Sequence, residues 1–209
     1  MSAMRDASMN TNMHAAFQRE IDRLEAGLDS ADLADGTARA GLSRRYQFFS
    51  QTLHHHHQGE DTYLFPGVRA KASPDEKAIL DAMEAEHEGL VDTLTTLDEQ
   101  FGHLDQATDK QAVAAQLEVL RQVLSAHGDH EERDGVPIVQ KYISDEDFKA
   151  FMKFNRGAPN SSLIMPWMCD GADPAVQAAT WGNIPAPVRL FLKPIMTRKY
   201  AAFTKECGV

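Results

Sequence analysis

The sequence predicts an all-α protein, an up-down-up-down four-helix bundle followed by a C-terminal extension of short helices. Three observations predict it. Apolar residues recur at steps of three and four through the first 135 residues, the spacing of helices that bury one face. Prolines are few in that stretch and crowd into the part after Pro137. The connections around Asp29 to Gly36, Gly67 to Ala72 and Gly102 to Ala107 are short, which favours antiparallel neighbours.

The first predicted helix covers about residues 12–30, with the stripe His14, Phe17, Ile21, Leu24, Leu28. The second covers about 37–66, with Leu42, Tyr46, Phe49, Leu53, His56, Glu60 and Tyr63 in phase. A capping box, Ser73 to Glu76 with Pro74 at the first helical position, opens the third helix. Its stripe is Leu80, Met83, His87, Leu90, Leu94, Leu97 and Phe101. A second capping box, Thr108 to Gln111, opens the fourth, whose stripe runs Val113, Leu117, Leu120, Leu124, His127, Glu131 until Pro137 ends it. Residues 1–140 are thus read as the bundle and 141–209 as an extension packed on it.

Composition narrows the function. The chain is 43% hydrophobic with a net charge of −10, enough apolar residues for a real core and too few cations to neutralise phosphates. Nucleic acid and membrane are therefore not expected as partners. The opening stretch from Met1 to Asn12 is polar, and no run approaches the ~20 apolar residues that span a bilayer. Cys169 and Cys207 form no CxxC pattern or disulfide framework. A cytoplasmic location is expected.

The polar residues inside the stripes carry the chemistry. His14, His56, Glu60, His87, His127 and Glu131 all interrupt apolar faces, and antiparallel packing brings them to one end of the bundle. Burying such groups unpaired costs several kcal/mol per charge, comparable to the ~5–15 kcal/mol net stability of a domain. A metal removes that cost. Residues at i and i+4 share a helical face, so His56 with Glu60 and His127 with Glu131 each aim a nitrogen and an oxygen at one place. Two such pairs and two single histidines suit two ions, with mixed imidazole and carboxylate ligands fitting iron best and manganese next.

Helical phase chooses among His54 to His57. His54 and His55 point away, and His57 with Asp61 forms a second i, i+4 pair on the flank of the stripe. His56 and Glu60 are therefore expected as ligands, with His57 and Asp61 outside them or on the surface. His103 and His130 read as surface residues. Glu84 and His87 spell ExxH, but the second ExxH that a ferritin-type site requires is lacking.

These residues resemble the hemerythrin HHE cation-binding domain. The resemblance rests on His56-His57-Gln58-Gly59-Glu60-Asp61 followed by Leu64-Phe65-Pro66, on Glu86-His87, and on His127 with Glu131-Glu132 and Val136-Pro137. It covers about residues 12–140 and implies a non-haem di-iron centre bridged by two carboxylates and an oxo or hydroxo group. The oxygen-carrying members have a fifth histidine, as HxxxH on the third helix, where this chain has Val91. The fourth helix has HxxxE, with Glu132 as a substitute at the next position. One histidine fewer implies more open coordination, as in bacterial hemerythrin-like proteins associated with oxygen, peroxide and nitric oxide. The expected function is binding of or reaction with these ligands under oxidative or nitrosative stress, with catalase-like decomposition of peroxide as the alternative. Tyr63, Glu86 and Asp61 are the candidates to contact the ligands from outside, and Tyr63 reads equally well as a core tyrosine.

In the extension, Phe148, Phe151, Met152, Leu163, Ile164, Trp167, Trp181, Leu190, Phe191 and Leu192 supply too much apolar surface to leave in water. They are expected to cover the outside of the bundle.

Overall fold

The computed structural model describes residues 8–208, and among them every regular element is helical. In chain order these are α1 (Ser8–Ser30), α2 (Gly36–Gly59), α3 (Phe65–Arg69), α4 (Pro74–Gly102), α5 (Lys110–His130), α6 (Val136–Tyr142), α7 (Asp145–Arg156), α8 (Ser161–Cys169), α9 (Pro174–Gly182) and α10 (Ala186–Cys207). The first seven residues of the polar opening stretch lie outside the described residues.

The stripes account for the packing. Helix α1 lies against α2 and α5, and α4 lies against the same two, so the long helices surround one core. Phe17, Ile21, Leu24 and Leu28 of α1 meet Leu42, Tyr46, Phe49 and Leu53 of α2, Leu90 to Phe101 of α4 and Val113 to Leu124 of α5. Each such side chain contributes ~1.5–3 kcal/mol by leaving water. The Ser73 capping box is present in full, with Glu76 bonding back to the Ser73 amide. The second predicted box is not: Asp109 caps α5 by accepting from Gln111 and Ala112, while Thr108 accepts from the Asp105 amide inside the loop.

Neither HxxxE helix runs on as regular α-helix. A π-helical turn, Glu60–Leu64, follows α2, and another, Glu131–Gly135, follows α5. In each the glutamate carbonyl accepts from the amide five residues on, Phe65 or Val136. A proline comes next in both cases, Pro66 and Pro137, and the wider turn accommodates a residue that cannot donate to the preceding turn. Pro137 therefore does not end the fourth helical segment, which continues as α6 to Tyr142.

The extension contributes to the same core. Trp167, Met168, Tyr200, Phe203 and Cys207 are buried with the bundle residues. Helix α10 touches α2 closely enough that a Cβ on Gly41 would lie 2.3 Å from the Cys207 carbonyl oxygen. Helix α7 covers the first π turn, its Phe151 packing on a smaller cluster of Leu64, Phe65, Val68, Leu80, Met83 and Ile138. Two expectations fail here. Pro166 and Pro194 lie inside helices, and α10 is 22 residues long, so the segment is not uniformly short helices. Leu190, Phe191 and Leu192 are exposed and do not cover the bundle.

Sequence pattern did not single out a buried ion pair in the core. The Glu20 carboxylate receives Arg45 Nε at 2.6 Å, Arg45 Nη2 at 3.2 Å, Trp167 Nε1 at 3.0 Å and Arg23 Nη1 at 3.1 Å. It ties α1 to α2 and α8.

Candidate metal centre

The six residues singled out by helical phase, His14, His56, Glu60, His87, His127 and Glu131, are all buried. They meet beside the two π turns. One group joins His14, His56 and Glu131, each presenting a donor atom within 4.8 Å of the others. The second group joins His87 and His127 with His57 by the same measure. His57 is thus not on the surface: its ring stacks on His87 with centroids 4.1 Å apart. Adjacent residues His56 and His57 serve different groups, and five imidazoles converge.

The two glutamates link the groups. Glu60 Oε1 lies 3.4 Å from His56 Nε2 and its Oε2 3.8 Å from His87 Nε2. Glu131 Oε2 lies 3.1 Å from His14 Nε2 and 3.8 Å from His127 Nε2. Each carboxylate therefore reaches one histidine of each group. Inward-facing nitrogens are close as well, with Nε2 to Nε2 distances of 3.3 Å for His14 and His56 and 3.2 Å for His87 and His127.

The outward nitrogens of three imidazoles are held by carboxylates. His14 Nδ1 donates to Glu132 at 2.9 Å, His87 Nδ1 to Asp61 at 2.8 Å and His127 Nδ1 to Glu86 at 2.9 Å. Each acid comes from a different segment than the histidine it holds, and each is the chain neighbour of a residue in the cluster: Glu131, Glu60 and His87 respectively. Fixing Nδ1 this way directs Nε2 to the interior. Glu86 also accepts from His130 Nδ1 at 2.7 Å, so His130, expected on the surface, is joined to the site at one remove.

Electrostatics follow from burial and crowding. Burial drives His56 down to about 3, with the His14 charge adding to the effect, and drives His57 well below its ordinary value. His127 is lowered for the same first reason. Burial also opposes charging of His14, but its hydrogen bonds to Glu131 and Glu132 raise it to about 9. Desolvation and the neighbouring Glu131 charge push Glu60 well above the usual carboxylate range. Burial works against ionisation of Glu131 too, yet the His14 hydrogen bond and charge hold it at about 2.

Buried atoms of this cluster, His57 Nε2 and Glu60 Oε2 among them, have no hydrogen-bond partner. Unsatisfied buried donors and acceptors normally cost ~1–3 kcal/mol each. A cation among these donors satisfies them, and the mixed nitrogen and oxygen set is of the kind that takes a transition metal. Close helix approach preserves the arrangement, since a Cβ on Gly128 would stand 3.2 Å from His14 Nδ1.

Other sequence expectations have mixed outcomes. Tyr63 does not approach the cluster, because the π turn shifts the phase beyond Glu60 and its ring packs on Phe154, centroids 4.9 Å apart. Val91 is exposed, so the position four beyond His87 does not face the site. His55 stacks on Phe154 and His103 is exposed. Asn10, which sequence reasoning missed, donates its amide to Glu131 Oε1 at 3.0 Å. Its place four residues before His14 at the start of α1 was the available signal.

The family model for the hemerythrin HHE cation-binding domain matches residues 8–139. No curated relative and no solved structure matches the chain.

Proposed function

The chain belongs to the hemerythrin HHE cation-binding domain family, and from that premise we propose that it holds a pair of iron ions which bind small oxygen-derived ligands. His57, His87 and His127 serve one ion, His14 and His56 serve the other, and Glu60 and Glu131 are shared between them. The reading includes the antiparallel order of α1, α2, α4 and α5, which puts the start of α1 beside the ends of α2 and α5. The observation that carries it is the pair of glutamates, each within 3.8 Å of one imidazole from either group.

Iron is favoured over zinc, because a tetrahedral zinc ion is satisfied by three or four of these ligands, whereas five imidazoles and two shared carboxylates suit a pair of ions of higher coordination. When bound, the pair supplies the redox chemistry needed to capture oxygen, peroxide or nitric oxide. The protein positions the imidazoles through Glu132, Asp61 and Glu86, orients Glu131 through Asn10 and keeps the donors out of bulk water. A part in oxidative or nitrosative stress follows from those ligands.

Multiple-turnover decomposition of peroxide is the less favoured reading. It rested on a coordination position left open at Val91, but Val91 is exposed and His57 is buried with the other imidazoles. The test is to load the protein with iron, measure metal per chain, and follow the visible spectrum on exposure of the reduced protein to oxygen or nitric oxide. About two irons per chain and a reversible spectral change are expected. One ion per chain, or zinc alone from iron-replete cells, would overturn the di-iron reading. Sustained oxygen evolution from added peroxide, absent in Glu60→Ala, would replace ligand capture with catalysis.

A further inference from the structure

Helix α1 buries two faces. Phe17, Ile21, Leu24 and Leu28 point into the bundle, in phase with His14. Asn12, Ala16 and Glu20 form a second buried stripe at a spacing of four, small or polar throughout. The extension meets this second stripe at both ends, since α8 and α9 each lie against α1.

At one end Glu20 accepts from Trp167 Nε1 of α8 at 3.0 Å. Beside it Arg19 donates to the carbonyls of Met168 and Asp170 at 2.8 and 3.0 Å, and Arg23 donates to the Asp170 carbonyl at 2.9 Å. These carbonyls lie at the end of α8, where no helical amide can reach them. At the other end Asn12 Nδ2 donates to Thr180 Oγ1 of α9 at 3.3 Å. Asn12 is 7% exposed and Thr180 fully buried. The Thr180 hydroxyl also bonds the Cys169 thiol, so α1, α8 and α9 share one polar network. Burying an amide costs free energy unless it is bonded, and a buried polar pair specifies one register where apolar contact alone tolerates sliding. Helix α9 is itself held from behind by α10, whose Arg189 donates to the Trp181 carbonyl at 3.1 Å and whose Lys193 lies over the Trp181 ring.

We infer that α8 and α9 clamp the start of α1 and thereby position His14, with Asn12 and Thr180 as the positioning residues. His14 lies within two turns of Ser8, where α1 begins, in the part of a helix that frays most readily. Asn10 and His14 reach Glu131 and Glu132, whereas Asn12, two residues from each and so on the far side of the helix, reaches α9. The first turns are thus pinned from two sides. The clamp also distinguishes the two groups of donors. His14 joins His56 and Glu131, but His57, His87 and His127 come from α2, α4 and α5 and include no residue of α1. Its effect on metal rests on the two-ion reading above, while its effect on α1 is measured in the metal-free protein.

The experiment uses the full chain with Thr180→Val, which removes the hydroxyl at nearly constant shape, and Asn12→Ala, which removes the donor where alanine favours helix. Asn12→Ala carries the test should Thr180→Val fail to fold. In the metal-free variants, amide hydrogen exchange at residues 10–14 should quicken about fivefold or more, as for loss of one buried hydrogen bond. Exchange in α4 should be unchanged. In the iron-loaded variants, competition with a chromophoric chelator should show one ion weakened about 10- to 100-fold and the other unaffected, with Thr180→Ser restoring the parent affinity. Adding Thr180→Val to His14→Ala should have no further effect on the ion that remains, as required of a residue that acts through His14. Unchanged exchange at residues 10–14 overturns the inference, as do two ions weakened equally or not at all, or Thr180→Ser as weak as Thr180→Val. A parent protein that holds one ion defeats the di-iron reading instead, and exchange at residues 10–14 then decides the clamp by itself.

Discussion

Two polar clusters are buried in this helical bundle, and they are built on opposite principles. Around Glu20, the donors of Arg45, Arg23 and Trp167 surround one carboxylate at 2.6–3.2 Å. The charge is matched and both carboxylate oxygens are bonded within the protein. Beside the π turns, five imidazoles and two carboxylates are crowded together with their inward nitrogens facing one another. There His57 Nε2 and Glu60 Oε2 find no partner. The first cluster is closed and holds helices together. The second is open toward its own centre, with its outer nitrogens firmly held, which is the form a ligand site takes when its scaffold is pre-organised.

The contrast is broken most directly at Arg45. Removing one member of a buried pair leaves the other charge in the core, so Arg45→Met is expected to lower the stability of the metal-free protein by about 3–5 kcal/mol. The double variant Glu20→Met with Arg45→Met should recover part of that loss. Urea unfolding measures both. A loss below about 1 kcal/mol would place the pair with exposed ion pairs, which are worth little, and would remove the distinction between the clusters.

His57→Ala should behave in the opposite way. Iron is expected to fall from about two ions per chain to about one, while the metal-free protein keeps its stability or gains some, because an unsatisfied buried imidazole has been removed. Val91→Ala, on an exposed face, should retain full iron. Elemental analysis and unfolding in chelator test the pair of claims together. Full iron in His57→Ala would remove His57 from the ligands, and lost iron in Val91→Ala would show that this face of α4 bears on the site after all.

How far these clusters were legible differs for physical reasons. His14, His56, Glu60, His87, His127 and Glu131 were legible because each replaces an apolar residue in a 3.6-residue pattern, and all six are buried together. His57 was not, since an ideal stripe is narrow and allows one of two adjacent residues to face inward; here the site lies between α2, α4 and α5, and both do. Tyr63 was misplaced because the π turn at Glu60–Leu64 adds a residue to the turn, and periodicity assumes there is none. The prolines that accompany both π turns, Pro66 and Pro137, were visible but read as a helix end. Glu20 and Arg45 were illegible in principle: they lie 25 residues apart on different helices, and nothing in either local pattern marks them as partners.

The open cluster should also give the metal-free protein a pH dependence. His56 and His57, and to a lesser degree His127, resist protonation when folded, His56 down to about 3, while the unfolded chain takes up the same protons near 6.5. Their contribution is therefore lost as pH falls below 6.5. Glu131, held at about 2, acts likewise below its ordinary 4.5. His14 runs the other way: raised to about 9, its contribution is complete below 6.5 and lost as pH rises toward 9. Glu60, kept protonated by burial, supports the fold at low pH and ceases to as pH rises above 4.5. Stability in chelator is thus expected to peak near pH 6.5 and decline on both sides. Urea midpoints that do not vary between about pH 5 and pH 8 would show that the cluster does not hold these protonation states.

The smallest effect expected is at Glu86, and it separates orientation from ligation. Its carboxylate touches no inward nitrogen but holds His127 Nδ1 at 2.9 Å and His130 Nδ1 at 2.7 Å. Glu86→Gln keeps an acceptor of nearly the same shape while removing the charge that fixes the proton on Nδ1. The fold should persist, and metal affinity, read by competition with a chromophoric chelator, should fall about 10- to 100-fold, the usual consequence of losing such a buttress. Glu84, two residues away and paired with Arg69 instead, provides the control, and Glu84→Gln should leave affinity unchanged. If Glu86→Gln also leaves it unchanged, packing of the His127 ring against His57 and His87 is enough to orient it, and the carboxylate belongs to the surface network of His130 and Asp134 rather than to the site.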